Sequence, residues 1–331
     1  MPVGFLNTNQ QTQLSSFPAA INHNDLITFF TLTVQDNQVL PSRSSATNRL
    51  GFAIQLCSLR FMGFFIKEMT EVPMIIIEFL KEQLTLNEIP DLIDYGMRAQ
   101  TRTDHIKSIE KYMGFRSANA EYENKLQTWL VSRALEHDRP LLLFQFAAEK
   151  MKQDKRTRYG LWKLEKLISK AREQAKQIIF KSLKPHLTKN TKTSLDLLLL
   201  VESDQITELN RLFCKTTSHS PESILSILQR IRKIRELGAE HWDLSHLNRN
   251  RLKHLAQLGK RSTNQALQRS KAERRYPILI ACISELLHEC IDESIEVFDL
   301  CLSEAYRRSS NQYKEYRKKM DKLINANNIV L

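Results

Sequence analysis

The sequence predicts an all-α protein, and three observations carry that prediction. Gly and Pro, the residues that interrupt helices, number only 8 and 9 in 331. Leu, Ile, Lys, Glu and Gln dominate what remains, and all of them suit helix. Apolar side chains recur at spacings of three and four, whereas alternating strand patterns are few.

The strongest element is 48–65. Leu50, Ala53, Ile54, Leu56, Cys57, Leu59, Phe61, Met62 and Phe65 cover most of a helix circumference, so the segment belongs between neighbours in a core. Arg49, Gln55 and Arg60 are its only long polar side chains. An arginine in such a helix needs an internal partner or a polyanion, which makes Arg49 and Arg60 candidate contacts. Thr47 or Asn48 is the expected N-cap. Residues 1–47 are polar and weakly patterned except for 26–30, a short helix that Asn24 or Asp25 is placed to cap.

Thr70-Glu-Val-Pro73 reads as the start of a helix over 74–84, with Pro where its missing N–H costs nothing. Residues 88–95 read as a short helical turn closed near Gly96. The next helix carries Ile106, Ile109, Tyr112 and Met113 on one face and ends before Gly114. Short helices and tight turns over 74–114 suggest a helix-turn-helix module. Arg98, Gln100, Thr101, Arg102, His105 and Lys107 gather at the start of its last helix, where a recognition helix meets base edges. An ordinary solvated helix start fits them equally.

A helix pair follows over 120–145, around Leu126, Trp129, Leu130 and Leu135, with its break at His137-Asp-Arg-Pro140 and an apolar helix over 141–148. Between 147 and 192 there are 14 Lys or Arg against only Glu149, Asp154, Glu165 and Glu173. That imbalance suits a polyanion, with Lys155, Arg156, Arg158 and Lys163 as candidates. Residues 181–193 read as an inter-domain link containing Pro185.

In the second half Ser220 caps a helix with Pro221 at its first position and Gly238 beyond its end. A second helix over 249–258 is expected to end at Gly259, and a third to begin near Thr263. Over 248–275 Glu273 is the only acid among nine Lys or Arg, from which Arg249, Arg251, Lys253, Lys260, Arg261, Arg274 and Arg275 are taken as phosphate contacts. From Tyr276 onward a long helix keeps an apolar stripe through Leu302 and then turns charged, as a packing or dimerisation element would. The expected division is a first DNA-binding module over 1–95, a second helix-turn-helix-like module over 96–150, a basic helix and linker over 151–193, and a helical bundle with the long C-terminal helix over 194–331.

A formal net charge of +12 and a pI near 9.4 point to an acidic polymer, nucleic acid before membrane. No run of about 20 apolar residues offers a membrane span. The N-terminus has no signal-peptide pattern, and the five cysteines form no CxxC pair; four lie in helix-like apolar patterns, so reduced, buried thiols in a cytoplasmic protein are expected. There is no phosphate-cradling glycine loop, GxSxG or HExxH. His241 and His246 near Asp243, and the acids Asp91 with Asp94 and Glu289 with Asp292 and Glu293, read more simply as loop and helix-surface groups. No catalytic residue, metal ligand or cofactor is assigned.

Several stretches together resemble the N-terminal region of Tn-three-type replicative transposases. They are Met1-Pro-Val-Gly-Phe-Leu6, Asn48-Arg-Leu-Gly-Phe-Ala-Ile-Gln-Leu-Cys-Ser-Leu-Arg-Phe-Met-Gly63, Glu71-Val-Pro73, Gln100-Thr-Arg-Thr-Asp-His105 and Gly114-Phe-Arg116. Asp138-Arg-Pro140, Arg249-Asn-Arg-Leu-Lys-His-Leu-Ala-Gln-Leu-Gly259 and Arg274-Arg-Tyr276 complete the set. The resemblance implies binding to double-stranded DNA at the transposon's terminal inverted repeats, transpososome assembly, and pairing as a homodimer or with full-length transposase. It places catalysis, with its Asp-Asp-Glu triad and a divalent metal such as Mg, in a later RNase-H-like domain that this chain is expected to lack. A bacterial, nucleoid-associated location follows. The alternative is a non-catalytic helical regulator that pairs with full-length transposase and blocks it.

Overall fold

The computed structural model describes residues 4–18, 20–41, 44–96, 99–201 and 206–328. Among these residues there are fifteen α-helices and no sheet, only two isolated bridges. The all-α expectation holds. The chain divides into two compact units, Met1–Ala175 and Lys176–Leu331.

The first unit begins with α1 (Thr8–Ser15), α2 (His23–Phe30) and α3 (Val34–Val39). α1 starts in a capping box: Asn7 accepts from the Gln10 N–H, and the Gln10 side chain accepts from the Asn7 N–H. Asn22, rather than Asn24 or Asp25, caps α2. α4 (Ala46–Met62) is the predicted core helix; it is capped by Ser45, two or three residues ahead of expectation, and closes at Gly63 with φ +77°. Every residue of α4 from 50 to 59 is buried.

α5 (Met74–Gln83) and α6 (Ala99–Met113) pack on α4, and 88–95 form turns rather than helix. Gly51 admits this packing, because a Cβ there would stand 2.0 Å from the Tyr95 ring. One core runs from Phe17 to Phe115 and includes Ile109 of α6. The expected module boundary at 95/96 therefore falls inside it.

A second core joins α7 (Ala120–Glu136), α8 (Pro140–Gln153) and the start of α9 (Leu161–Leu183) through Leu126, Leu130, Leu143, Phe144, Leu164 and Ile168. Leu6 belongs to this core. The buried Glu165 carboxylate holds it there, accepting from the N–H groups of Phe5 (2.8 Å) and Leu6 (2.9 Å). The division between units falls within α9, not in the link expected at 181–193.

The second unit contains α10 (Lys189–Leu197), α11 (Glu208–Phe213), α12 (Pro221–Glu236), α13 (Arg249–Arg261), α14 (Asn264–Arg269) and α15 (Ala272–Asn328). α12 starts as read, on a Ser220 cap with Pro221 next. α13 runs through Gly259 instead of stopping there. A Cβ at that position would lie 2.0 Å from Cys282 Sγ, so this glycine lets α13 and α15 approach closely there. Cys57, Cys282 and Cys290 are buried as expected, and burial pushes the first two thiols up to about 12. Cys214 is exposed and Cys301 partly so, against that expectation.

Candidate nucleic-acid interface

Arg60 has an internal partner. Its guanidinium meets Asp36 Oδ1 at 2.7 Å and donates to the carbonyls of Thr31 and Phe29. Tyr112 donates to the same carboxylate oxygen at 2.8 Å, and the Thr33 N–H to the other at 2.7 Å. Burial alone would raise the Asp36 carboxyl. The Thr33 N–H, Arg60 and Tyr112 outweigh it and hold the group below the usual aspartate range. Arg49, one turn into α4, is half-exposed.

The start of α6 splits between inside and outside. Arg102 turns inward and donates to the Ile66 carbonyl at 2.6 Å. His105 is 8% exposed, lies edge-on to Phe52, and sits 3.2 Å from the Tyr95 hydroxyl. Burial lowers its pKa, so it is a neutral core histidine. Gln100 donates to Asp104 one turn on, Thr101 is half-buried, and Lys107 is exposed. Arg98 lies outside the described residues.

The connection from α5 to α6, 84–98, is far longer than the three- or four-residue turn of a helix-turn-helix. That spacing occurs instead between α7 and α8, whose only linking residues are His137, Asp138 and Arg139. Arg172 fixes the turn with a 2.7 Å ion pair to Asp138, which leaves Arg139 and Gln145 exposed at the start of α8.

The loop from α8 to α9, followed in α9 by Lys163, holds three predicted cations, Lys155, Arg156 and Arg158. Its backbone joins that of Arg116, whose N–H donates to the Lys155 carbonyl at 2.9 Å. Lys155 Nζ stands 5.2 Å from the Phe115 ring centroid, and Arg156 lies over Tyr122 at 5.1 Å and donates to the Ser117 carbonyl. Arg158 stacks at 3.6 Å from the Phe64 centroid, and burial depresses its pKa to about 10. Lys163 pairs with Glu123 at 2.8 Å. Arg116 and Lys155 are the exposed members.

In the second unit Arg251 is 1% exposed and belongs to the interior. Arg275 pairs with Asp196 at 3.2 Å, Lys260 with Glu289 at 2.6 Å, and Arg249 with Glu285 at 3.5 Å. Lys253, Arg261 and Arg274 face solvent. The predicted cations are thus of two kinds. Arg60, Arg102, His105, Arg251 and Arg275 serve the fold, whereas Lys107, Arg116, Lys155, Lys253, Arg261 and Arg274 are open to a ligand.

Two features escaped the sequence reading: the exposed Trp162 at the start of α9, and the polar α1 residues that line a cleft with it. Trp162 sits within a helical apolar pattern, and only its 65% exposure sets it apart. Among the described residues no three His, Cys, Asp or Glu side chains gather as a metal site. No described helix is long and apolar enough to cross a membrane.

Residues 5–171 match a domain of unknown function, DUF4158. The chain is 27% identical over 304 residues to the transposase for transposon Tn1546 of Enterococcus faecium, covering 90% of this chain and 30% of that protein. It is 27% identical over 320 residues to the transposase for transposon gamma-delta of Escherichia coli, covering 96% and 32%. With the transposase for transposon Tn501 of Pseudomonas aeruginosa the identity is 26% over 321 residues, 97% of this chain and 32% of the relative. The chain spans about 30% of the length of the curated relatives it matches.

Proposed function

The chain belongs to the DUF4158 family, and from that premise and its similarity to transposases we propose that it binds duplex DNA at transposon ends and helps assemble the complex that moves them. The observation that carries this reading is the set of solvent-facing cations that neither unit neutralises: Arg116 and Lys155 in the first, Lys253, Arg261 and Arg274 in the second. Among the described residues none of these five is held by a carboxylate. They take phosphates, and each phosphate neutralised releases counterions. Base contacts come from the exposed starts of α6 and α8, through Gln100 and Lys107 and through Arg139 and Gln145. The role is non-catalytic, and divalent-metal chemistry belongs to parts of a transposase outside these residues.

Fluorescence anisotropy with a transposon-end duplex and a scrambled duplex, across a salt series, tests this. The end duplex is expected to be preferred near physiological salt. Replacing Lys253, Arg261 and Arg274 together by Ala should weaken both duplexes alike and reduce the log–log salt slope by about 2–3 units. Equal affinity for the two duplexes at every salt concentration would remove end recognition.

One observation favours a second reading, the regulator that pairs with full-length transposase. Past Val297, α15 exposes Phe298, Leu302, Tyr306, Tyr313, Tyr316, Met320 and Leu323, which fall on one helical seam. Such a seam suits a partner helix.

A further inference from the structure

A cleft of about 790 Å³ in the first unit is bounded by α1, the turn after α4 and the start of α9. Its size is that of a small-molecule site. Gln11 and Thr12 of α1 line the cleft with polar groups. Phe65 and Trp162 line it too, and Lys67 and Arg158 add positive charge.

Arg158 makes this more than a surface fold. Its guanidinium stacks on Phe64, its Nε is buried without a hydrogen bond, and burial alone acts on its ionisation, with no carboxylate beside it. The residue as a whole is half-buried, and an arginine so far desolvated is normally paired. Here no carboxylate among the described residues pairs with it, which leaves the guanidinium available to an anion entering the cleft. Trp162 stands at the same cleft with most of its ring in solvent, and Lys166 Nζ lies 5.2 Å from the ring centroid. A cation for a phosphate, an aromatic plane for a base and amide and hydroxyl groups for base edges are the three chemistries that one nucleotide requires.

We propose that this cleft captures a single nucleotide of unpaired or unstacked DNA, with its phosphate on Arg158 and its base against Trp162. The proposal rests on the DNA-binding reading above and adds a substrate form to it. A duplex offers no free base face to an aromatic ring, so the cleft acts where strands are frayed, gapped or drawn apart.

The test uses the whole chain with three probes: a fluorescein-labelled mixed-sequence single strand of twelve nucleotides, the intact end duplex, and thymidine 5′-monophosphate. Trp162→Ala should weaken the single strand at least fivefold and leave the duplex within twofold. Trp162→Phe should restore most of the loss. Arg158→Lys, which keeps the charge but not the planar fork, should weaken the single strand too. If that variant fails to fold by circular dichroism, the solvent-exposed Trp162 decides the matter. Equal losses on both DNAs, or none on either, would overturn the cleft while leaving duplex recognition in place. No binding of any DNA by the unaltered chain would remove both readings. Thymidine monophosphate binding tighter than the single strand would assign the cleft to free nucleotides and overturn the DNA assignment.

Discussion

Arginines divide in this protein according to whether the fold offers them an acceptor. Arg60 finds Asp36 and two backbone carbonyls at the end of a core helix. Removing it strands a buried carboxylate, so Arg60→Ala should cost about 3 kcal/mol in urea unfolding. Arg251, the largest fully buried side chain, should behave alike: Arg251→Ala is expected to lower stability by about 2–4 kcal/mol rather than to weaken DNA uniformly. Two further groups give the first unit a pH dependence. The folded pKa of His105 is lowered, so the unfolded chain takes up its proton first. The stability it contributes is complete above the ordinary histidine value of about 6.5 and is lost as the pH falls through the folded value. The carboxyl of Asp36 is also held low, and its contribution disappears only below the ordinary aspartate range. A plot of melting temperature against pH should therefore fall in two steps, and His105→Gln should abolish the upper one. A single step near the carboxylate range in the unaltered protein would show that His105 titrates normally.

Individual helices were legible where the signal is local. The Ser220–Pro221 start of α12 and the apolar circumference of α4 both stand in a contiguous stretch, and both are found. α1 and α3 were not anticipated, because they are short and polar and their capping boxes lie in a weakly patterned region. Gly259 was misread as a helix stop. A glycine that ends a helix and one that lets two helices touch look the same locally, and here the deciding atom is Cys282 Sγ on α15. The same limit applied to the site. Charge counts found the basic stretches, but which cations point outward depends on distant partners such as Asp36, Ile66 and Asp196. Gly51 has the corresponding role in the first unit, where α4 meets Tyr95. Gly51→Ala should cost about 1–3 kcal/mol by forcing the ring away, and His105 should lose its hydroxyl partner with it. A calorimetric melt of that variant showing no loss would mean that the Tyr95 segment moves freely.

At the scale of the molecule, two compact units carry outward-facing cations, and the second also carries a helix far longer than its core. Up to Val297, α15 is packed against α12 and α13; beyond it, about 30 residues of helix have no buried side chain among those described. That part of the helix draws nothing from packing within the unit, and a partner on its apolar side would stabilise it. Apart from Leu300, the exposed apolar residues step by three, four or seven along it, from Phe298 through Leu302, Tyr306, Tyr313, Tyr316 and Met320 to Leu323, which is the spacing of a two-helix seam. If a second copy covers this seam, light scattering of the free chain at tens of micromolar should give twice the 38.6 kDa mass. Leu302→Glu with Tyr316→Glu should return it to the monomer, since each glutamate would place a charge in an apolar contact. The double variant should also lose helix signal in circular dichroism, because the freed tail would melt, while the cooperative unfolding of α12 and α13 against the first part of α15 persists. A monomer in the unaltered chain would exclude self-pairing through this seam, leaving recognition of transposon ends by the free chain to the cations of each unit acting alone.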